Sequence, residues 1–455
     1  MLIARVLVAL AISLQLATDG VVAAEKGPPG PSLIRDAEIE GLLRLYAKPI
    51  FRAAGLNPDA VKVYVIADNR INAFVANGQK MFIHTGLFTK TKTPNEVIGV
   101  IAHETGHIAG GHLAKLKSEI ASASIQNVVG MLVGAAAIVG GAATGNREAA
   151  KAGQGVIMGS QGLAQRSLLS YQRSMEASAD QAALTYLSKT GQSAKGMLSV
   201  FEKLASESLA SAQYADPYLQ SHPMPLERIR NLERVAKLTP HFGKTDEAAL
   251  QLRHDLVKAK LWGFMETPQA VFQRYPKGDT SLPGRYAHAI TLFRRGDLAN
   301  AIPIIDSLTD DLPQNPYFWE LKAQAYIESG QFRNALPAIK KARSLLPNNG
   351  LLQLMEAETL VGLGNLSNAD AALRTLSLAR KTEADSPILY KLMAQAYATK
   401  SDVPRAELAT AEFAYVKGDK ELAQEKASRS QKLFKKGSPE WLRATDILNA
   451  AIRKK

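Results

Sequence analysis

Apolar residues recur at helical spacing through most of the chain, and one short region near the N-terminus has strand-like runs instead. A first amphipathic helix is predicted over 36–54. Three short β-rich runs follow it, at 61–67, 71–76 and 80–85, with turn residues between them. From about Leu250 onward the pattern is almost wholly helical. The pattern therefore predicts a mainly α protein with one small sheet in the first half of the chain.

The clearest single helix signal begins at Thr93. This residue suits an N-cap, Pro94 suits the first helical position, and Glu96 completes a T-x-x-E capping box. Four apolar residues at roughly helical spacing form one face of this helix, namely Val97, Ile98, Ile101 and Ile108. Such a face predicts a helix that is buried inside a domain.

The same helix carries the motif H-E-x-x-H as His103, Glu104 and His107. Two histidines four residues apart project from one helix face, where their imidazoles can bind a single tetrahedral metal ion. Glu104 lies about 100° round the helix, from where its carboxylate can reach a metal-bound water. The alternative is two unrelated core histidines with a glutamate between them. The capped amphipathic helix favours the metal site, and with it a metal-assisted hydrolase.

A catalytic zinc ion needs a third protein ligand, and Glu176 is the candidate. It opens the sequence E-A-S-A-D in a helix predicted over 167–187, so that Glu176 and Asp180 share one face. One carboxylate would bind the metal while the other holds a ligand imidazole in orientation. Taken alone, two such acids are typical of a solvated helix face. His112 is an alternative ligand, but two glycines precede it and Glu176 has the better claim.

The predicted sheet has two interpretations. In many zinc peptidases an exposed strand holds an extended substrate by main-chain pairing. The segment Asn72, Ala73 and Phe74 would suit this role, as would 81–83. A purely structural sheet is equally consistent with the pattern.

A 34-residue repeat marks the second half of the chain. Gly296, Gly330 and Gly364 recur at this interval, which is the period of the tetratricopeptide repeat. Further residues fall at matching offsets, namely Ala301, Ala335, Ala369, Trp319, Ala323, Tyr326, Ala342 and Pro347. Helix pairs of this kind stack into a solenoid with a concave binding face. The repeats are either a docking surface for a protein partner or a structural support for the first half.

Residues 1–24 have the features of a secretory signal peptide: Arg5, an apolar core over 6–16 and small residues up to Ala24. The apolar core is too short for a typical membrane span, so we expect export, with an uncleaved anchor as the alternative. The periplasm of a Gram-negative cell fits best. Residues 125–144 are uncharged and rich in Gly and Ala, which predicts a hairpin packed on the domain or at a membrane surface, with a true span as the alternative.

Composition narrows the possible partners. The 455-residue chain contains no cysteine, which excludes disulfides and a lipid-modified cysteine. Its formal charge of +13 indicates anionic partners, which for an exported protein are lipid headgroups, lipopolysaccharide or acidic unfolded chains. No recognisable nucleic-acid module accompanies this charge, so we expect no nucleic acid among the partners.

The motifs together resemble a family of zinc metallopeptidases, that of the CAAX prenyl protease and the heat-shock protease HtpX. The matching segments are H-E-x-x-H, E-x-x-A-D, Asn72-Ala73-Phe74, Thr85-Gly86-Leu87 and an H-P-x-x-x-x-R-I segment that begins at His222. The resemblance implies an α+β catalytic domain over 25–245, with a small sheet and the H-E-x-x-H helix. An α-solenoid of tetratricopeptide repeats would follow over 246–455.

This resemblance also implies the roles of individual residues. One zinc ion per chain is expected. Its ligands would be His103, His107 and Glu176, and Glu104 would be the general base. Asp180 would orient a ligand, and Arg228 would anchor the loop that carries His222. His222 itself would either stabilise the tetrahedral intermediate or occupy the open coordination position and inhibit the enzyme.

Two functions from different classes remain. The first is an exported zinc endopeptidase that degrades misassembled outer-membrane proteins and assists their assembly. The second is a chaperone or scaffold that binds such proteins through its repeats, with a latent or silent peptidase site. By resemblance, the partners are unfolded or misassembled outer-membrane β-barrel proteins and the machinery that assembles them, with peripheral membrane contact. The intact Glu104 favours the peptidase.

Overall fold

A computed structural model describes residues 32–76, 78–122, 124, 169–210, 218, 222–223 and 225–452. The expectations for the signal peptide 1–24 and for residues 125–144 therefore lie outside the described residues. The chain divides into two compact units, one over Pro31–Leu261 and the other containing Trp262–Lys455.

The described part of the first unit contains a four-stranded sheet. Its strands are β1 (Leu33–Ile34), β2 (Lys62–Ile66), β3 (Ala73–Ala76) and β4 (Lys80–His84), in the order β1-β2-β4-β3. β2 and β4 are parallel, whereas β1 pairs antiparallel with β2, and β3 antiparallel with β4. The three strands predicted from the sequence are confirmed. The sequence does not predict β1, because two residues are too few to show a period-two pattern.

Helices form the rest of the regular structure in the described part of this unit. They are α1 (Ala37–Ala53), α2 (Thr85–Lys90), α3 (Pro94–Ala109), α4 (112–122), α5 (169–189), α6 (Lys195–Ala210), α7 (Leu226–Ala236) and α8 (Ala248–Met265), and the boundary between the units falls within α8. One hydrophobic cluster joins α1, the sheet, α3 and α6, and it includes the fully buried side chains of Tyr46, Met81, Ile101 and Phe201. Full burial of such a side chain contributes about 1.5–3 kcal/mol, so α3 is fixed as a core helix.

The first turn of α3 is fixed as its sequence predicts. Oε2 of Glu96 accepts a hydrogen bond of 2.9 Å from the backbone N–H of Thr93, as the capping box requires. Oε1 of the same carboxylate accepts a hydrogen bond of 2.9 Å from Oγ of Ser199 on α6. A Cβ at Gly99 would lie 2.6 Å from Cβ of Met197, so only glycine permits the close packing of α3 on α6. The helix that carries H-E-x-x-H is therefore held rigidly.

The second unit is helical throughout the part that the structure describes. Its helices are α9 (Pro268–Arg274), α10 (Leu282–Arg294), α11 (Leu298–Asp311), α12 (Pro316–Glu328), α13 (Phe332–Leu345), α14 (Gly350–Gly362), α15 (Leu366–Glu383), α16 (Pro387–Thr399), α17 (Val403–Lys417), α18 (Lys420–Leu433) and α19 (Pro439–Ile452). Each helix from α10 to α19 packs against the next in the chain.

The periodic glycines explain how these helices form pairs. Gly296, Gly330 and Gly364 have φ of +77°, +71° and +70°, and each lies between the two helices of a pair. Residues with a Cβ rarely adopt this left-handed conformation, so the glycine ends one helix and turns the chain into the next. Between α16 and α17 the same role falls to Ser401, with φ of 57°.

The periodic alanines lie in the helix contacts. Ala301, Ala335, Ala369 and Ala423 are at most 2% exposed, which lets paired helices approach closely. Successive packed pairs at the period of the tetratricopeptide repeat fit an α-solenoid. The predicted fold class, mainly α with a small sheet and a helical-repeat region, is confirmed. Among the described helices, none has the length and apolarity needed to cross a bilayer.

Candidate metal centre

The C-terminal half of α3 presents two imidazoles to one point. The Nε2 atoms of His103 and His107 lie 3.1 Å apart. The side chain of His103 is fully buried and that of His107 is 12% exposed. The spacing of four residues on a helix therefore brings the two rings together as the sequence predicts.

Glu176 on α5 brings a carboxylate to this pair. Its Oε2 lies 3.4 Å from Nε2 of His103, and its Oε1 lies 3.3 Å from Nε2 of His107. Gly106 permits the approach, because a Cβ there would lie 2.9 Å from both Cα and the carbonyl oxygen of Ala179 on α5. Only a glycine allows the two helices to cross this closely, so Gly106 puts Glu176 within reach of the histidines.

His222 completes the cluster from the segment that precedes α7. Its Nδ1 lies 3.4 Å from Nε2 of His103 and 3.0 Å from Oε1 of Glu176. Its other nitrogen, Nε2, lies 3.5 Å from Oε1 of Glu104. The buried ring of Tyr218 packs on the imidazole of His222, with the ring centroids 4.6 Å apart. His222 thus lies between the ligand cluster and Glu104.

These donor atoms fit a divalent metal ion. One atom each from His103, His107, Glu176 and His222 lies within 4.8 Å of the other three. Ligand atoms about 2.0–2.1 Å from a tetrahedral zinc ion are about 3.3 Å apart. With Oε1 as the ligand atom of Glu176, the four distances given above between cluster atoms run from 3.0 to 3.4 Å. Three imidazoles and one carboxylate are also the donors that suit zinc.

A second layer of contacts holds these side chains. Oδ1 of Asp180 lies 3.0 Å from Nδ1 of His103, the ring nitrogen that faces away from the cluster. Arg228 donates to both oxygens of Asp180, and its Nη1 lies 2.8 Å from Oε2 of Glu176. Nη1 also donates a hydrogen bond of 2.9 Å to the carbonyl oxygen of Pro223, the residue after His222. The guanidinium of Arg228 therefore holds the candidate ligand Glu176 and the carboxylate of Asp180, which contacts His103. It also holds the backbone next to His222.

The electrostatics of the cluster favour a positive charge. Burial lowers the pKa of His103, but the adjacent carboxylates of Asp180 and Glu176 outweigh this and raise the pKa to about 9. Burial raises the pKa of Glu176, but the hydrogen bonds with His103 and His222 outweigh it and hold the pKa far below its usual range. Burial and the neighbouring imidazoles lower the pKa of His107 to about 2, so this ring stays neutral and able to bind a metal.

Glu104 is buried beside the cluster without belonging to it. The residue is 1% exposed, and within the described chain its Oε1 has no hydrogen-bond partner. Burial raises the pKa of its carboxyl, while the nearby His222 and His103 oppose this rise. A carboxyl group with a raised pKa and a free oxygen is suited to accept and return a proton.

A cleft of about 380 Å³ opens beside the cluster, and Phe74, Glu104, His107 and Met175 are among the residues that line it. Phe74 belongs to β3, the strand at one end of the described sheet. Of the three residues proposed to hold substrate, only Phe74 lines the cleft, whereas Asn72 and Ala73 are 6% and 0% exposed. A peptide that pairs with β3 would therefore enter the cleft near Phe74.

His112 lies beside the cluster and outside it. Its Nδ1 is 3.1 Å from Nδ1 of His107, on the side of that ring opposite the atom that faces Glu176. The four-atom cluster does not include it. Sequence reasoning did not single out Tyr218 or Gly106. An isolated glycine inside a predicted helix is a signal of close backbone approach, and it could have identified Gly106.

Both parts of the chain match known protein families. Residues 35–236 match the model of peptidase family M48, and residues 286–350 and 326–396 match models of the tetratricopeptide repeat. The putative beta-barrel assembly-enhancing protease of Vibrio cholerae is 28% identical over 267 residues, which cover 56% of this chain and 52% of the relative.

Two further relatives show the same relationship. The beta-barrel assembly-enhancing protease of Yersinia pestis is 24% identical over 300 residues, which cover 64% of this chain and 59% of the relative. Metalloprotease YcaL of Escherichia coli is 29% identical over 193 residues, which cover 41% of this chain and 68% of the relative. The alignments to the two assembly-enhancing proteases span 52% and 59% of their own length.

Proposed function

Since the chain carries a peptidase M48 domain followed by tetratricopeptide repeats, we propose that it is a zinc-dependent endopeptidase of envelope protein quality control. One observation carries the proposal. The donor atoms of His103, His107, Glu176 and His222 converge beside the buried Glu104, which has a raised pKa. This is the arrangement that metal-assisted peptide hydrolysis requires.

In the proposed reaction, each side chain has a separate task. A zinc ion held by His103, His107 and Glu176 would lower the pKa of a water molecule and polarise the carbonyl of a peptide bond. Glu104 would take a proton from this water as its oxygen bonds to the carbonyl carbon, and would pass the proton to the amine nitrogen when the C–N bond breaks. Asp180, 3.0 Å from Nδ1 of His103, keeps the proton of that imidazole on Nδ1 and leaves Nε2 for the metal.

The strand β3 supports an endopeptidase rather than an exopeptidase. The backbone N–H of His84 donates to the carbonyl of Asn72. In this antiparallel register, the main-chain N–H and C=O groups of Phe74 and Ala76 therefore also point toward β4. Ala73 and Val75 then direct their main-chain groups to the other edge, where an extended peptide can pair. A chain bound in this way leaves both of its ends free, so the cut falls inside it.

The proposed substrates and location follow from the similarity to the two assembly-enhancing proteases. We propose unfolded or misassembled outer-membrane β-barrel proteins as substrates, and the periplasm as the compartment. The repeats would dock such a client or the machinery that assembles it. The proposed arrangement is a signal peptide over 1–24, a peptidase domain over 25–245 and the repeat domain over 246–455.

A second candidate function is supported by the position of His222. Because its Nδ1 lies among the ligand atoms, 3.4 Å from Nε2 of His103, it can fill the coordination position that a substrate or water needs. The protein would then act as a chaperone or scaffold through its repeats, with a latent peptidase site.

An unfolded outer-membrane protein offered as substrate separates the two functions. The purified protein should cleave it, a chelator should stop cleavage, and added zinc should restore it. The Glu104→Gln variant serves as the matched control, because it changes one atom of the proposed base. Binding of the client without zinc-dependent cleavage by the protein, together with cleavage by a His222→Ala variant, would support the chaperone with a latent peptidase site instead.

A further inference from the structure

His112 reaches the metal centre because two glycines turn the chain back at the end of α3. α3 ends at Ala109, Gly111 has φ of +63°, and α4 begins with His112. A Cβ on Gly110 would lie 2.3 Å from Nε2 of His112, so the imidazole packs where any other residue would exclude it. The two glycines therefore leave the space in which this ring packs, and His112 is 6% exposed.

This position brings the imidazole of His112 against Nδ1 of His107. His107 directs Nε2 at the cluster, where it lies 3.1 Å from Nε2 of His103. Its other nitrogen, Nδ1, lies 3.1 Å from Nδ1 of His112. A neutral imidazole that binds a metal through Nε2 has its proton on Nδ1, and this N–H needs an acceptor. His112 supplies one if its own proton is on Nε2.

The parallel with His103 supports this assignment. Nδ1 of His103 faces Oδ1 of Asp180 at 3.0 Å, which fixes that ring. No carboxylate occurs at the corresponding place on His107 among the contacts of the described residues, and His112 occupies it. We propose that His112 is a positioning residue that accepts a hydrogen bond from Nδ1–H of His107 and so orients this ligand toward the metal ion.

The inference rests on the proposed metal site but not on peptidase activity, so metal affinity is the readout. Zinc affinity is measured by competition with a chromogenic chelator, for the whole protein and for three variants. His112→Asn keeps an acceptor at the place of Nδ1, His112→Phe keeps a ring without an acceptor, and Gly110→Ala displaces the imidazole. Loss of such a partner typically weakens metal binding by about 10–100-fold.

We expect that loss for His112→Phe and Gly110→Ala, and an affinity within about threefold of the original for His112→Asn. The ligand-field spectrum of the cobalt-substituted protein should change in the same two variants. His241→Asn, a histidine of the same unit that takes no part in these contacts, is the matched control. Circular dichroism of each variant checks that the fold is retained.

The outcomes separate the two proposals. If the original protein binds no zinc, the proposed function fails. If it binds zinc and all His112 variants bind it equally well, or His112→Asn loses as much affinity as His112→Phe, only the positioning role is overturned. Should Gly110→Ala fail to fold, the two His112 variants alone decide.

Discussion

The guanidinium of Arg228 holds the carboxylate of Asp180 through two parallel hydrogen bonds, with Nε 2.7 Å from Oδ2 and Nη2 2.8 Å from Oδ1. The two side chains are only 11% and 7% exposed. Because Asp180 also lies 3.0 Å from Nδ1 of His103, this pair connects α7 to a candidate metal ligand. The planar fork of arginine matches a carboxylate in a way that lysine cannot.

Replacement of Arg228 by Gln should destabilise the protein by about 3–5 kcal/mol, because it leaves two buried carboxylates without their common partner. Arg228→Lys retains the charge but not both hydrogen bonds, so its loss should be smaller. Chemical denaturation with zinc present gives the free energy of unfolding of each variant. Equal stability of Arg228→Gln and the original protein would contradict this role.

Glu104→Gln should bind zinc normally and lose peptide hydrolysis by about 10²–10⁴-fold, because the amide cannot take a proton from water. The two side chains have nearly the same shape, and Oε1 of Glu104 makes no hydrogen bond within the described chain that the change could break. Zinc content and cleavage rate are measured on the same sample. Glu176→Gln is the contrasting variant, since it should lose zinc. Full hydrolysis by Glu104→Gln would remove Glu104 from the mechanism.

His222→Ala should raise the rate of peptide hydrolysis severalfold, because it vacates the position among the ligand atoms that Nδ1 of His222 now takes. Steady-state cleavage of a short peptide is measured at saturating zinc. A slower variant that still binds zinc would indicate that His222 assists the reaction, and an unchanged rate would dismiss both roles.

Val75→Pro should raise KM for an extended peptide while zinc affinity stays unchanged. Val75 pairs in register with Met81, between the pairs that bond β3 to β4, so its N–H points away from the sheet. Proline removes this outward donor and leaves the ladder intact. Val75→Ala shortens the side chain but keeps the N–H, and should retain the original KM. The same KM for the proline variant would show that substrate does not pair with β3.

Asp68 predicts a measurable dependence of stability on pH. Hydrogen bonds from Arg70 lower the pKa of its carboxyl to about 2, against the opposing effect of burial. A carboxylate with a lowered pKa stabilises the fold above its ordinary pKa of about 3.9, and this contribution is lost as pH falls toward 2. Asp68→Asn should therefore be less stable than the original at pH 6, by about 1 kcal/mol after solvent screening.

Urea denaturation at pH 6 and near pH 2.5 measures this difference. The gap between Asp68→Asn and the original protein should narrow as the pH falls. A gap of the same size at both values would mean that ionisation of Asp68 contributes nothing to stability.

Local sequence signals predict features that lie within a single helix or a single repeat. The capping box at Thr93 gives the start of α3, and the match to tetratricopeptide models confirms the 34-residue repeat. Contacts between distant segments leave no such pattern. The crossing of α3 and α5 at Gly106 depends on the backbone of Ala179. The bond from Arg228 to Glu176 is likewise visible only once the chain is folded.

His112 illustrates the same limit at short range. If α3 continued as a helix, His112 would lie on the face opposite His103, because nine residues at about 100° each turn the chain by half a circle beyond two full turns. The left-handed φ of Gly111 instead breaks the helix, and the ring then lies against the outer nitrogen of His107. A pair of glycines indicates a break in a helix, but the direction of the chain afterwards depends on tertiary packing.

The two imidazoles of α3 are local neighbours, whereas Glu176 and His222 come from segments that are far away in sequence. An unfolded chain therefore brings together only two of the four candidate ligands. The centre would be complete only after α5 has docked across Gly106, and a copy in which this contact has not formed would lack Glu176 as a ligand.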